Sequence, residues 1–309
     1  MEIKGDIVKF FNMVVLACSV ARSVFAAEVS ITMDDPHVGK TPLLSPAERN
    51  AKILEALDGA GNLKAALFVC GKQIDNPEGS KLLSDWDGKG HLIANHSYSH
   101  LNFNSSKTSF EIFSKDYLKG EALVVNLKNF EKLFRFPFLK EGDTFSKVNS
   151  MRELLREKGY RNGHVSIDAS DWYVDSRLAQ RLESNPKADL SGYRDFYLKH
   201  IWKRAQFYND LSKKLLGREV KHTLLIHHSL LNALFLKDLL AMFKSKHWNL
   251  VNAKDAFNDP VYARSAGTVP AGEGILWALA KEAGKFEDIL RYPAEDGEYE
   301  KAEMNRLGL

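Results

Sequence analysis

Short apolar runs alternate with longer helical patterns along most of the chain, and this alternation limits the fold more than any other feature. The runs that predict strands cover residues 29–33, 65–69, 91–94, 134–136, 164–167, 223–226 and 248–251. The helical patterns cover residues 46–57, 147–158, 193–216 and 231–244. Strands that alternate with helices pair in parallel through right-handed crossovers. We therefore expect an α/β fold, either a closed barrel or a doubly wound sheet.

Polar residues follow three of the predicted strands. They are Asp34-Asp35, the segment 96–100, which begins and ends with histidine, and His227-His228. In both candidate architectures the active site forms at the carboxyl ends of the strands. One aspartate and two histidines can hold zinc while leaving coordination positions open for water and substrate. The clusters therefore predict a hydrolytic metal site with acid and base groups beside it.

The adjacent aspartates can take separate roles. At a strand end their side chains point in different directions, so Asp34 and Asp35 need not act on the same group. The alternative is that one of them only caps the turn before Pro36.

The histidines are spaced so that one pair can share an ion and the other cannot. His96 and His100 are four residues apart, which in a helical turn puts both imidazoles on one side. His227 and His228 are neighbours on a strand, so their side chains alternate and only one of them can face the site.

Composition and the N-terminus indicate an exported globular protein. The 309 residues, 44% of them hydrophobic, can bury a substantial core, and the 43 basic and 40 acidic residues are interspersed, which argues against a nucleic-acid partner. Lys4 and Lys9 precede an apolar run over 10–21, and the residues that follow suit cleavage after Ala26 or Ala27. We therefore expect a signal peptide over residues 1–27 and a periplasmic or secreted protein.

Two alternatives to a cleaved signal stay open. Glu2 and Asp6 dilute its positive region, which leaves an uncleaved membrane tether or an amphipathic first helix as one alternative. Lipid attachment at Cys18 is the other, and we favour it less. If the signal is cleaved, Cys70 is the single cysteine of the mature chain, and no internal disulfide can form.

Five motifs, in order along the chain, resemble those of the polysaccharide deacetylases, the NodB-like enzymes of carbohydrate esterase family four. They are Thr32-Met-Asp-Asp35, His96-Ser-Tyr-Ser-His100, Arg135-Phe-Pro137, Asp168-Ala-Ser-Asp171-Trp172 and Leu225-Ile-His227. The resemblance implies a distorted (β/α) barrel in a single domain. We place the catalytic domain over residues 28–264, and a C-terminal extension, packed on the barrel or partly exposed, over 265–309.

The resemblance also implies roles for the first two motifs and for the arginine. It assigns Asp34 as the catalytic base, and it assigns Asp35, His96 and His100 as ligands of a divalent metal. Zinc is the expected ion, and other divalent ions are alternatives. Arg135 is expected to orient Asp34 and to keep it ionised.

The other motif residues are expected to act on the leaving group and the substrate. His227 aligns with the family's general acid, and Asp171 is expected to set the charge state of His227 or of Arg135. The backbone N–H of Phe138 is expected to bind the oxyanion, and Trp172 to pack against the acetyl methyl group. Phe138 stands where the family usually has tyrosine, so the substrate contacts are expected to differ.

The function that these motifs imply is metal-dependent hydrolysis that removes acetyl groups from N-acetylated sugars of a polysaccharide or cell-wall glycan. One alternative is hydrolysis of O-acetyl esters on a glycan, and another is a catalytically silent, exported carbohydrate-binding protein. The expected partner is an acetylated glycan, with no nucleic acid and no protein partner. Peptidoglycan, chitin-like oligomers and other N-acetylglucosamine polymers all carry the same acetamido group, so the sequence does not choose among them.

Overall fold

The structure is a computed structural model that describes residues 26–290 and 297–309. Nearly all of the expected signal peptide, including Cys18, lies outside these residues. The strands are β1 (Glu28–Asp34), β2 (Ala66–Val69), β3 (Leu92–Asn95), β4 (Phe130–Phe134), β5 (Lys140–Gly142), β6 (Arg161–Asn162), β7 (Lys221–His227), β8 (Asn249–Leu250) and β9 (Ala271–Gly272). The helices are α1 (Pro46–Gly59), α2 (Pro77–Gly88), α3 (Phe110–Val124), α4 (Phe145–Glu157), α5 (Asp171–Ser184), α6 (Ser191–Leu216), α7 (Leu230–Ser245), α8 (Ala253–Ala256), α9 (Ile275–Ala283) and α10 (Glu298–Leu307).

In the main sheet, β1 lies between β2 and the edge strand β7. The strands of this sheet lie in the order β6-β4-β3-β2-β1-β7, and β8 also pairs with β1. All of these pairings are parallel. Asp34 at the end of β1 lies beside Phe68 of β2 and beside His227 of β7. Because parallel strands end at the same edge of a sheet, this register brings the polar ends of β1 and β7 together.

The sheet curls until the segment 161–167 joins its two edges. The segment begins as β6, which pairs with β4, and the Gly163 N–H donates to the Phe134 carbonyl at 2.7 Å. Ile167 then bridges to Leu224 of β7, and the Leu225 N–H donates to the Ile167 carbonyl at 3.1 Å. The prediction of a single-domain α/β fold with a distorted barrel is therefore confirmed.

Two predicted strands differ from the observed ones near this closure. Residues 164–167 form no regular strand, because their contacts with β7 are a bridge from Ile167 to Leu224 and irregular hydrogen bonds to Thr223 rather than a continuous ladder. The strand predicted over 134–136 is the end of β4, which begins at Phe130. It stops before Pro137, which lacks a backbone N–H and opens the turn Pro137–Leu139.

Local signals fix where the first elements begin. The hydroxyl of Ser45 accepts from the Glu48 N–H, the Glu48 carboxylate accepts from the Ser45 N–H, and Pro46 takes the first helical position, so α1 begins in a capping box. β1 is buried on both faces, as expected for a parallel strand covered by helices.

The C-terminal region packs on the barrel through several elements. β9 pairs antiparallel with β5, and α9 buries Ile275, Leu276 and Leu279. Among residues 26–290 and 297–309, the helices are all too short or too polar to cross a membrane.

Candidate active site and metal centre

The three side chains expected to bind metal lie together at the ends of β1 and β3. Ligand atoms of Asp35, His96 and His100 all lie within 4.8 Å of one another. The His100 Nε2 is 3.3 Å from Asp35 Oδ2, and the His96 Nε2 is 4.0 Å from Asp35 Oδ1. That Oδ1 is buried and has no hydrogen-bond partner in the described part of the chain.

This donor set suits a divalent cation. A buried carboxylate oxygen without a hydrogen bond is costly unless a cation or a donor satisfies it. Burial lowers the pKa of His100 to about 4, so its imidazole is neutral at physiological pH and free to bind a metal. Two imidazole nitrogens and one carboxylate oxygen are the ligand types of catalytic zinc sites.

The ring of His96 is oriented by the backbone next to it. Its Nδ1 lies 2.7 Å from the Arg135 carbonyl oxygen, which can only accept, so Nδ1 carries the proton. Nε2 is then the nitrogen with a free lone pair, and it is the one that points toward Asp35. A partner of this kind on the distal nitrogen is typical of metal-binding histidines.

The loop between the two histidines is held by α3. The Asp116 carboxylate accepts from the N–H groups of Tyr98 and Ser99 at 3.1 and 2.9 Å. Ser97 has a φ of 66°, and Gly120 lies so close that a Cβ there would be 2.5 Å from the Ser97 backbone. Asp116 and Gly120 therefore position the loop, although the sequence motifs did not single them out.

Asp34 is paired with a fully buried arginine. The Arg135 Nη1 donates to Asp34 Oδ1 at 2.5 Å and to Thr32 Oγ1 at 3.0 Å, and its Nε donates to the Gly163 carbonyl at 2.8 Å. The guanidinium also lies 3.7 Å from the ring centre of Phe68. Burial lowers the pKa of Arg135, and the charge and hydrogen bond of Asp34 oppose that shift, so Asp34 favours the charged form of the arginine.

His227 and Asp171 form a hydrogen-bonded pair on the other side of β1. The His227 Nδ1 lies 2.8 Å from Asp171 Oδ1, and the His227 backbone N–H donates to Asp171 Oδ2 at 2.8 Å. Burial lowers the pKa of His227, but the charge and hydrogen bond of Asp171, together with the charges of Asp35 and Asp34, outweigh this and raise the pKa to about 10. The imidazole is therefore protonated at neutral pH and can act as an acid.

Asn232 of α7 supports this pair and was not indicated by any motif. Its Nδ2 donates to Asp171 Oδ2 and to the His227 carbonyl, both at 2.8 Å. Its Oδ1 accepts from the Tyr197 hydroxyl at 2.5 Å. The Asp171 carboxylate thus accepts from two residues and is fixed from two directions.

His37 and His228, which are close in sequence to the site residues, lie outside the cleft. His228 is buried on the opposite side from His227, with its Nε2 3.2 Å from Asn50 Oδ1. His37 has its Nδ1 within 3.3 Å of the Arg49 guanidinium, and burial lowers its pKa to about 4. Neither ring lines the cleft that holds the metal-binding side chains.

The predicted site residues meet in one cleft of about 410 Å³. It is lined by Asp34, Asp35, His96, His100, Phe138, Leu139, Asp168, Ala169, Trp172, Leu225 and His227. Arg135 and Asp171 lie just beneath it, in contact with Asp34 and His227. A larger groove of about 640 Å³ runs between α1 and α2, but none of these residues lines it.

Two hydrophobic side chains of the cleft are placed by unusual backbone. Phe138 and the next residue, Leu139, both have a φ of 57°, and Phe138 is 45% exposed. Its ring centroid is 4.5 Å from that of His100. β9 supports this turn closely, because a Cβ at Gly272 would lie 2.0 Å from the Leu139 carbonyl oxygen. Trp172 lines the cleft from the first turn of α5.

Comparisons with known proteins agree with the motifs. Residues 25–162 match the family model described as polysaccharide deacetylase. The fold is similar to that of the polysaccharide deacetylase Bc1974 from Bacillus cereus, with a TM-score of 0.51, 18% identity, and coverage of 73% of this chain and 91% of that one. It is also similar to a BA3943 mutant described as a CE4 family pseudoenzyme, with a TM-score of 0.52, 16% identity, and coverage of 76% of this chain and 68% of that one. A search of curated proteins found no match.

Proposed function

We propose that this chain is a polysaccharide deacetylase, a metal-dependent hydrolase that removes acetyl groups from the N-acetylated sugars of a polysaccharide or cell-wall glycan. The match of residues 25–162 to the polysaccharide deacetylase family model supports the proposal. One observation carries the proposal. A metal-binding triad, an Asp–Arg pair and a protonated His–Asp pair all adjoin one cleft. These are the groups that hydrolysis of an amide requires.

The triad of Asp35, His96 and His100 is the proposed holder of the ion. A bound divalent cation, with zinc as the expected ion, supplies Lewis-acid polarisation of the acetyl carbonyl and lowers the pKa of an adjacent water. The buried, unpartnered Oδ1 of Asp35 is the feature that most favours a cation here.

Asp34 is the proposed general base. Its Oδ2 lies 3.7 Å from the His96 Nε2, so the carboxylate faces the triad. Asp34 accepts a proton from water as the water oxygen bonds to the acetyl carbon, and Arg135 holds the carboxylate in place at 2.5 Å. The N–H of Phe138 is proposed to donate to the oxyanion that forms.

His227 is the proposed general acid. Because Nδ1 is bonded to Asp171, the proton available to substrate is the one on Nε2. It passes to the sugar nitrogen as the carbon–nitrogen bond breaks, which releases acetate and a free amine. Trp172 is proposed to pack against the acetyl methyl group.

The test compares acetate release from N-acetylated and O-acetylated glycans, with and without a chelator. The proposal expects chelator-sensitive release from the N-acetylated glycans. Release from O-acetylated glycans alone would instead support an esterase. Absence of chelator-sensitive release from both substrates would contradict the proposal and favour a catalytically silent carbohydrate-binding protein.

We also propose that the protein acts outside the cytoplasm. The support is the sequence of residues 1–27, which suits export and cleavage after Ala26 or Ala27. Mass spectrometry of the protein recovered from the periplasm or medium should give Ala27 or Glu28 as the first residue. An unprocessed N-terminus on a cytoplasmic protein would refute this localisation.

A further inference from the structure

Two buried side chains of α6 contact the loop that leads to Asp171. His200 and Arg204 are four residues apart, so they lie on one face of the helix. The His200 Nε2 is 3.2 Å from the Ser170 hydroxyl, and the Arg204 Nε donates to the Asp168 carbonyl at 2.9 Å. The side chains of His200 and Arg204 are 6% and 1% exposed. The loop is thus fixed from behind at two positions.

Glu300 of α10 continues this chain of contacts. Its Oε1 is 3.6 Å from the His200 Nδ1, and the residue is 3% exposed. A carboxylate beside Nδ1 favours a proton on that nitrogen. The other ring nitrogen, Nε2, is then the one that meets the Ser170 hydroxyl. Gly297 lies against the Tyr173 ring, where a Cβ would approach to 2.5 Å. α10 therefore packs against both α5 and α6.

The set Ser170–His200–Glu300 has the residue types of a hydrolytic triad, but it cannot act as one. Ser170 is 0% exposed, and it is the N-cap of α5. A nucleophile must reach the substrate, and no substrate can reach this hydroxyl. What the set can do is hold the residue that follows Ser170, which is Asp171.

We propose that Glu300 and His200 are positioning residues for deacetylation, acting through Ser170 on Asp171 and through Asp171 on His227. In its catalytic consequence this inference rests on the proposed function. Asp171 accepts three hydrogen bonds of 2.8 Å from His227 and Asn232, and bonds of that length tolerate little displacement of the carboxylate. Through these contacts α10, which is distant in sequence from the other site residues, helps to position Asp171.

The test compares E300Q with E303Q in the full-length protein. Both replace a glutamate of α10 by its amide, but Glu303 is more exposed and pairs with Lys199 at 2.8 Å. We expect E300Q to lower kcat about tenfold, which is about 1.4 kcal/mol, with KM and bound zinc within about twofold of wild type. E303Q should match wild type. Wild-type kcat in E300Q would overturn the proposal.

A double mutant separates positioning from general loss of stability. If Glu300 acts through Asp171, E300Q should cause no further loss of kcat in a D171N background. A further tenfold loss there would contradict the proposed route.

Amide hydrogen exchange tests the same coupling without any substrate. The His227 N–H donates to the Asp171 carboxylate, so its exchange reports on the position of Asp171. We expect exchange at least fivefold faster in E300Q and unchanged in E303Q. An unchanged rate in E300Q would overturn the proposal, whereas faster exchange in an enzyme that releases no acetate would refute only the proposed function. If E300Q does not fold, S170A takes its place, with the same expected losses.

Discussion

Replacing Asp171 with asparagine should remove the charge that keeps His227 protonated. In the wild type, burial lowers the pKa of His227 from its ordinary 6.5, and Asp171, with smaller contributions from the charges of Asp35 and Asp34, reverses this and raises the pKa to about 10. Asparagine keeps the shape of the side chain but not the charge, while the burial stays. Because burial is the largest single effect and only the weaker effects of Asp35 and Asp34 still oppose it, we expect the pKa of His227 in D171N to fall to 6.5 or below. At pH 7.5 the ring then changes from protonated to mostly neutral.

The kinetic consequence follows from the role of the proton. General acid catalysis contributes roughly 10²- to 10⁴-fold to a rate, so we expect kcat of D171N at pH 7.5 to fall by about that factor. KM and zinc content should change little, because Asp171 touches neither the triad nor the cleft surface. Acetate release from an N-acetylated oligosaccharide measures kcat and KM.

The same pairing makes stability depend on pH in a defined direction. The pKa of His227 is higher in the folded chain than its ordinary value, so the pairing stabilises the fold fully below pH 6.5 and is lost as the pH rises to about 10. The difference in unfolding free energy between wild type and D171N should therefore be greatest below pH 6.5 and should shrink toward pH 10.

NMR titration of the metal-free protein measures the pKa of His227 directly. The His227 ring should titrate near 10 in wild type and at 6.5 or below in D171N. A ring in D171N that still titrates near 10, or a kcat equal to that of wild type, would refute the reasoning.

Two other replacements test the base and the metal ligands. R135M leaves Asp34 buried without its partner, so it should lower the unfolding free energy in urea by about 3–5 kcal/mol, whereas R156M, at an exposed pair with Glu153, should change it little. H100N should weaken zinc binding by more than about 100-fold in a chelator competition. Replacing a residue that only hydrogen-bonds to a metal ligand already lowers metal affinity about 10–100-fold, and His100 is itself a proposed ligand. The control H247N replaces an exposed histidine with a similarly positive φ, and it should bind zinc as wild type does. Equal unfolding free energies for R135M and R156M, or equal zinc affinities for H100N and H247N, would count against these roles.

Much of the cleft could be predicted because its residues lie at the carboxyl ends of strands or directly after them. Asp34 ends β1 and His227 ends β7, and the register of a parallel sheet places them side by side. The alternation of side chains along a strand also predicts that His227 and His228 face opposite ways, and the structure shows His228 against Asn50. Local pattern is enough where neighbouring residues set the geometry.

The supports of the site could not be predicted in the same way. Asn232 lies 61 residues from Asp171 along the chain, and they meet because α7 packs against α5. Glycine has a low helix propensity, yet Gly120 lies within α3. The position requires glycine because the Ser97 backbone approaches too closely for a side chain. Tertiary packing decides both cases, and no local pattern records it.

The closure of the barrel shows the same limit. An apolar run predicted a strand over 164–167, but this segment has to cross from β4 to β7, so its single bridge is made at Ile167. An apolar run reports burial, and burial here does not require a regular strand.

The measurement that tests the central claim most directly is zinc content together with acetate release in the wild type and in D34N. Asparagine preserves the shape of Asp34 and leaves the triad of Asp35, His96 and His100 intact. We predict that D34N binds zinc as the wild type does and releases acetate from N-acetylated glycans at least about 100-fold more slowly. Acetate release at the wild-type rate from zinc-loaded D34N would contradict this prediction.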